Sequence, residues 1–230
     1  MSSLAAGILL GVKGQMPYEF YQQLVSTGTL HIVAASGFNV MIVASVLMQV
    51  LSKLLAKGWA IAGGVVGIGV YVLLSGASAS VVRAGIMGSL TLMAYYFGRP
   101  AEARRLLWVT AGVMLLFDPL YLMDIGFQLS FAATAGLLYL APAMQKLPQI
   151  PLLKEYLYPT LAASAATIPI ILYHFGRVSW ISPLVNMLVL PLVPLIMLLS
   201  ALTLLGGQVV AWLAYVPLSW IVQMIYLFSY

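Results

Sequence analysis

Residues 178–230 read VSWISPLVNMLVLPLVPLIMLLSALTLLGGQVVAWLAYVPLSWIVQMIYLFSY and contain no Lys, Arg, Asp or Glu. That run is more than twice the roughly 20 residues one helix needs to cross a hydrocarbon core of about 30 Å. Shorter charge-free runs cover 58–82, 125–145 and 156–176. In lipid the backbone must satisfy its own hydrogen bonds, so these runs are helices, with Gly and Pro marking breaks or kinks. The whole composition agrees. Of the 230 residues, 63% are hydrophobic and 7% charged, against about 25% charged in a soluble domain. A water-facing surface cannot be built from that inventory, and a disordered chain would lack the large apolar groups. A soluble enzyme and a disordered segment are both excluded.

The pattern predicts an all-α, polytopic helical membrane protein of about seven to eight transmembrane helices, with broken or re-entrant segments. Spans are expected near 30–52, 59–76, 79–98, 105–117, 125–141, 156–175, 183–205 and 208–229, the fourth being short enough to be interfacial or re-entrant. No internal repeat and no Pro/Gly linker divides the chain, so residues 1–230 are read as a single transmembrane domain. Within it, 1–29 form an interfacial or re-entrant N-terminal part and 30–230 a helical bundle. Tyr18–Thr27 interleaves Glu19, Gln22, Gln23 and Ser26 with Phe20, Tyr21, Leu24 and Val25, as a helix lying in the interface does.

Alternating the loops puts Lys53, Lys57, Arg99, Arg104, Arg105, Lys146 and Lys154 on one side. Asp118, Asp124 and Arg177 fall on the other, with Lys13 and Glu19. The positive-inside rule makes the first side cytoplasmic and leaves the C-terminus outside. No basic n-region opens the chain, so no cleavable signal peptide is expected. The stop at Tyr230, inside an apolar run, suggests a fragment or a minimal member of its family. Cysteine is absent, which excludes disulfides, iron–sulfur clusters and thiol chemistry.

Polar groups at membrane depth are expensive and often functional. Three clusters stand out. Thr27-Gly28-Thr29-Leu30-His31 runs into Ala35-Ser36-Gly37-Phe38-Asn39, where Ser36 and Asn39 share a helix face and Gly37 permits a break or a close helix contact. A patch of small packing residues with a satisfied His31 would look the same. Arg83 sits about one turn into a span, after the small residues 75–80; it cannot plausibly deprotonate, so it snorkels, pairs or faces water. The third cluster is Asp118-Pro119 through Asp124-Ile125-Gly126-Phe127-Gln128-Leu129-Ser130-Phe131. Asp118 suits a helix-boundary cap, and Gln128 wants a hydrogen-bond partner inside an apolar span. Asn186, between Pro183 and Pro191, is a further buried polar group beside kinks.

Several chemistries lack their motifs. No Lys is followed by Ser or Thr, so there is no Walker-type phosphate loop. The two His residues are far apart with no His-x-His or His-Glu-x-x-His spacing, so no hydrolytic metal site and no cofactor are expected. Two other classes stay open. One is a small-solute secondary transporter, although coupling carboxylates within spans are lacking. The other is an intramembrane serine hydrolase using Ser36 as nucleophile and His174 as base.

The stretch from Phe20 to Val40, with Thr27–His31 and Ala35–Val40, resembles the competence-protein family ComEC. So do Ser80-Val81-Val82-Arg83-Ala84-Gly85-Ile86-Met87, Gly98-Arg99, Phe117-Asp118-Pro119 and Gly126-Phe127-Gln128-Leu129-Ser130-Phe131. The later Ala166-Thr167-Ile168-Pro169, Phe175-Gly176, Asn186 and Pro191 complete the ordered set. The resemblance implies a transmembrane channel that passes single-stranded DNA across the bacterial cytoplasmic (inner) membrane during natural transformation. It places His31, Ser36, Gly37, Asn39, Arg83, Gln128, Ser130 and Asn186 along or near the conduit, with Asp118, Gly126, Pro169 and Pro191 as caps and kinks. Many members carry His where this chain has Asn39, which weakens any role needing a second imidazole there. The family's oligonucleotide-binding and nuclease domains have no counterpart here, so no enzyme activity is expected. The implied partners are single-stranded DNA, the lipid bilayer, a cytoplasmic motor or strand-trapping protein, and separate nuclease and DNA-receptor proteins.

Overall fold

A computed structural model describes residues 7–8, 17–33, 36–146, 150–151, 153–176 and 178–229. Every regular element among them is helical. Five segments are long and apolar enough to cross a membrane: Gly37–Leu54, Lys57–Leu74, Ile125–Met144, Leu153–Phe175 and Ser182–Ser200. A shorter apolar helical segment covers Trp212–Phe228. The protein is therefore a polytopic helical membrane protein. The chain forms two compact units, Ser36–Leu138 and a second made of Met1–Ala35 with Tyr139–Tyr230.

In the second unit, α1 (Tyr18–Ser26) and the single turn α2 (Leu30–Val33) precede α8 (Tyr158–Phe175), α9 (Ser182–Val189) and α10 (Val193–Phe228). The first unit holds α3 (Gly37–Leu54), α4 (Lys57–Leu74), α5 (Ala79–Tyr96), α6 (Ala103–Phe117) and α7 (Ile125–Ala135). Successive helices of this unit run antiparallel through short turns, so α3, α5 and α7 start at one end and α4 and α6 finish there. Lys53, Lys57, Arg99, Arg104 and Arg105 all fall at the opposite end.

Small residues set the α3–α4–α5 packing. Gly63 and Gly67 form a small-xxx-small face on α4, the arrangement that lets membrane helices approach closely. A Cβ at Gly63 would stand 3.0 Å from Leu51 Cδ1, and one at Gly67 2.5 Å from Leu47 Cδ1. Leu47 and Leu51 thus fill the groove those glycines leave. Gly85 does the same for α5, where a Cβ would lie 2.6 Å from Val72 Cγ2. At the junction of α5, α6 and α7, Ala79, Met114 and Phe127 form a buried cluster with Ile86 and Phe131 packed against it.

The expected spans differ from the structure at four places. The span read as 30–52 is broken: α3 starts only at Gly37, with Ser36 extended before it. The span 183–205 is interrupted by a 3-10 turn at Leu190–Leu192, where Pro191 lacks the N–H a continuous helix needs. The turn expected between 205 and 208 is absent, and α10 runs 36 residues through Pro217, about 54 Å at 1.5 Å per residue. Counting off bilayer-length pieces fails there because no charge or strong breaker marks a stop. Finally, α5 falls outside the set long and apolar enough to cross; Arg83 and the Ser, Thr and Gly content of α5 lower its apolar character, while α6, at 15 residues, is short as expected.

In the unit formed by the chain's two ends, α1 buries Phe20 and Leu24, one helical turn apart. The Phe20 ring lies 6.2 Å from that of Tyr226 on α10. The apolar stripe expected to lie in the membrane interface thus covers protein at these two positions. The helix α8 continues through Pro169 and ends at Gly176, whose φ of 66° closes the turn.

Gly85→Val is expected to destabilise the protein by about 1–3 kcal/mol through overpacking against the stiff Val72. Gly69 has nothing within 4 Å, so Gly69→Val should change stability by less than about 0.5 kcal/mol. Thermal unfolding of both variants in one detergent checks the contrast.

Candidate functional site

The starting end of α3, α5 and α7 gathers most of the polar residues of the first unit. Ser36 occupies the N-cap position of α3 without capping it; its hydroxyl donates to Asn39 Oδ1 at 3.2 Å. Asn39 is 1% exposed, and its side chain is also hydrogen-bonded to the Tyr71 hydroxyl from the last turn of α4. Tyr71 carried no signal in the sequence, since a lone Tyr in an apolar run reads as packing.

Arg83 comes from the second turn of α5 and is 9% exposed. Its Nη1 donates to the backbone carbonyl of Ser130 on α7 at 2.6 Å. That oxygen also accepts from Thr134 Oγ1 at 2.9 Å. The guanidinium carbon lies 6.0 Å from the Phe131 ring centre, near the outer limit of a cation–π contact. Arg83 Nε and Ser130 Oγ are buried without hydrogen-bond partners among the described residues. No carboxylate lies within ion-pair distance of Arg83 among them either. Arginine stays charged, and a buried charge without a counter-charge is strongly unfavourable.

Gly37 belongs to the same arrangement. A Cβ there would stand 2.7 Å from Arg83 Nη2 and 3.3 Å from Ala84 Cβ. Glycine at 37 leaves the guanidinium its place against the start of α3; a larger residue would push the Arg83 tip aside. The structure thus brings together Ser36, Gly37, Asn39, Arg83 and Ser130, five of the residues the sequence singled out, and adds Tyr71.

The acidic residues at this end hold backbone. Asp118 Oδ1 accepts from the Leu120 N–H at 2.9 Å, capping a 3-10 turn at Pro119–Met123. Asp124 Oδ1 accepts from the Phe127 N–H at 2.6 Å and caps α7. A Cβ at Gly126 would lie 3.0 Å from that same oxygen, so glycine leaves the cap room. Gln128 Nε2 donates to the Leu122 carbonyl at 2.7 Å, which ties α7 back to its preceding turn.

Asn186 stands in the other unit. It is 4% exposed, and its Nδ2 donates to Ser182 Oγ at 3.3 Å. Ser182 Oγ in turn donates to the Gly28 carbonyl at 3.4 Å. Gly28 has a φ of 69°, and a Cβ on it would meet Ser182 Cβ and Oγ at 2.7 Å. The turn between α1 and α2 is closed by Thr27 Oγ1 and Thr29 Oγ1 at 2.8 Å. His31 lies in α2, and its side chain is outside the described residues. His174 lies exposed in the last turn of α8, whereas Ser36 belongs to the first unit, its hydroxyl directed to Asn39.

Residues 8–230 match the competence-protein family. This chain belongs to that family. It is 32% identical over 172 residues to ComE operon protein 3 of Bacillus subtilis (strain 168), covering 74% of this chain and 22% of that protein. It is 28% identical over 217 residues to competence protein ComA of Neisseria gonorrhoeae, covering 90% of this chain and 30% of that protein. The chain thus spans between a fifth and a third of the length of these competence proteins. No solved structure matches it.

Gly28→Ala is expected to lower stability by about 1–2 kcal/mol from the left-handed backbone alone, with the Ser182 clash added. In a double-mutant cycle, Ser182→Gly should recover the clash and leave the backbone strain. Chemical unfolding of the four proteins measures the coupling.

Proposed function

We propose that this chain forms the membrane-spanning part of a DNA-uptake channel, passing single-stranded DNA across the cytoplasmic membrane during natural transformation. Its membership of the competence-protein family supports the uptake role. The single observation that carries the channel reading is Arg83: a buried cation without a carboxylate partner at one end of a helical unit. Such a group calls for an anionic visitor, and each nucleotide of a passing strand brings one phosphate. The surrounding Ser, Asn, Tyr and Gly side chains supply hydrogen-bonding groups of modest strength. Conduction requires weak, repeated binding rather than a dense basic groove.

Orientation follows from charge. The five cations at the far end of Ser36–Leu138 are the cytoplasmic signature of the positive-inside rule. On that orientation Arg83 sits toward the outer surface, where an entering strand arrives first.

Moving each negative charge inward against an inside-negative potential costs roughly 2.3 kcal/mol per 100 mV. The sequence has no nucleotide-hydrolysing motif, so a cytoplasmic motor or strand-trapping protein drives entry, docking on the loops that carry Lys53, Lys57 and Arg99–Arg105. On this reading residues 1–230 conduct the strand and do not cut it. A small-solute transporter is disfavoured because Glu19, Glu102, Asp118, Asp124 and Glu155 all lie in loops or at helix ends, leaving no midspan carboxylate for ion coupling.

Vesicles reconstituted with the purified chain, held at zero membrane potential, are expected to protect fluorescent single-stranded DNA and exclude double-stranded DNA. Arg83→Gln should lower that uptake at least tenfold. Replacing a buried charge by an apolar side chain is often neutral or stabilising, so Arg83→Met should stay folded, within about 1 kcal/mol of the parent, while losing uptake. Equal uptake by parent and Arg83→Gln would refute Arg83 as a phosphate contact.

A further inference from the structure

The start of α3 and the Arg83 guanidinium meet in a way that neither needs for packing. Helix α3 has 18 residues and no side-chain cap, because the Ser36 hydroxyl is turned to Asn39 Oδ1; the Asn39 N–H donates to the Ser36 carbonyl at 3.1 Å, which leaves the N–H groups of Gly37 and Phe38 as donors. The first N–H groups of any helix lack intrahelical partners, and the dipole makes that end partly positive. Against this positive end stands a cation. Arg83 Nη2 lies 2.7 Å from where a Cβ on Gly37 would be, and Cζ lies 4.0 Å from it. A cation at a helix N-terminus has the wrong sign for the dipole, and the only hydrogen-bond acceptor of the group among the described residues is the Ser130 carbonyl. Nε is buried and unpartnered beside it.

The two carboxylates at that end do not answer the charge. Asp118 and Asp124 are each engaged with a backbone N–H of their own segment, and neither reaches Arg83 within ion-pair distance. An anion seated between the helix start and the guanidinium satisfies both positive groups at once. Helix N-termini bind phosphate through their free N–H groups, and the guanidinium fork matches the paired oxygens of a phosphate.

We infer that the first turn of α3, opened by Gly37, and the Arg83 fork form a binding site for one phosphodiester or phosphate group. The inference rests on the reading of Arg83 as a phosphate contact and locates that contact: Gly37 is the positioning residue, and the backbone of α3 supplies the other donors. Two sources share this chemistry, a phosphate of single-stranded DNA and the headgroup of an anionic lipid.

The test is a binding measurement without transport. The purified chain in phosphatidylcholine nanodiscs is titrated with inorganic phosphate, then with a short oligothymidylate, and the unfolding midpoint is followed. A saturable rise is expected for the parent. Gly37→Ala and Arg83→Gln should each weaken apparent affinity at least tenfold, with Arg83→Lys in between because it keeps the charge and loses the fork. If Gly37→Ala does not fold, the order of the parent, Arg83→Lys and Arg83→Gln decides. No saturable rise, or one constant for all proteins, overturns the site. Loss of oligothymidylate binding when phosphatidylglycerol is added to the disc assigns the site to lipid and overturns the nucleic-acid source. Failure here with uptake still sensitive to Arg83→Gln removes the site and keeps the channel. Phosphate binding that is sensitive to Arg83, beside uptake that is not, does the reverse.

Discussion

A charged side chain inside an apolar helical protein governs everything around it. Arg83 can neither lose its proton nor reach a carboxylate among the described residues, so the surrounding backbone must come to it. The Ser130 carbonyl does so from α7, and the start of α3 lies against the guanidinium at residue 37, which has no side chain. Three helices are thereby committed to one end of the unit, and the polar residues Ser36, Asn39 and Tyr71 cluster where those helices begin or end.

Glycine serves a second purpose deeper in the same unit. Without a hydrophobic force between helices in lipid, close van der Waals packing must hold them together. Gly63, Gly67 and Gly85 provide it by admitting Leu51, Leu47 and Val72 into contact distance. The polar end and the packed middle are thus separate solutions on the same helices. One gathers hydrogen-bonding groups around Arg83, and the other holds the helices together.

Much of this is legible in the sequence for a plain reason: charge is rare enough here that every charged residue carries information. The charge-free runs announce helices, and Asp118 before Pro119 announces a cap, which it is; the cap at Asp124 emerges only from the structure. Gly37 and Pro191 announce breaks, and both stand at one. What stayed hidden depends on distance along the chain. Ser182 meets Gly28 across 154 positions, and no local pattern reports that. Tyr71 looks like any aromatic in an apolar run until Asn39 is placed beside it. The length of α10 stayed hidden for the opposite reason, since an unbroken apolar stretch does not say where one crossing ends. The division into two units, 36–138 and the chain's two ends, likewise leaves no compositional mark.

The chain contains no cysteine, which permits a direct test of whether the Arg83 end meets water on the outer face. Single cysteines would be placed at Ser36, beside the cluster, and at Val66, an exposed apolar position in the middle of α4. Inside-out and right-side-out vesicles would then be treated with a charged, membrane-impermeant thiol reagent. The expected result is rapid modification of Ser36→Cys from the outer side alone, slowed by single-stranded DNA, with Val66→Cys unreactive from both sides. If Ser36→Cys is as inert as Val66→Cys, or reacts only from the cytoplasmic side, Arg83 does not stand at the entrance of a DNA path.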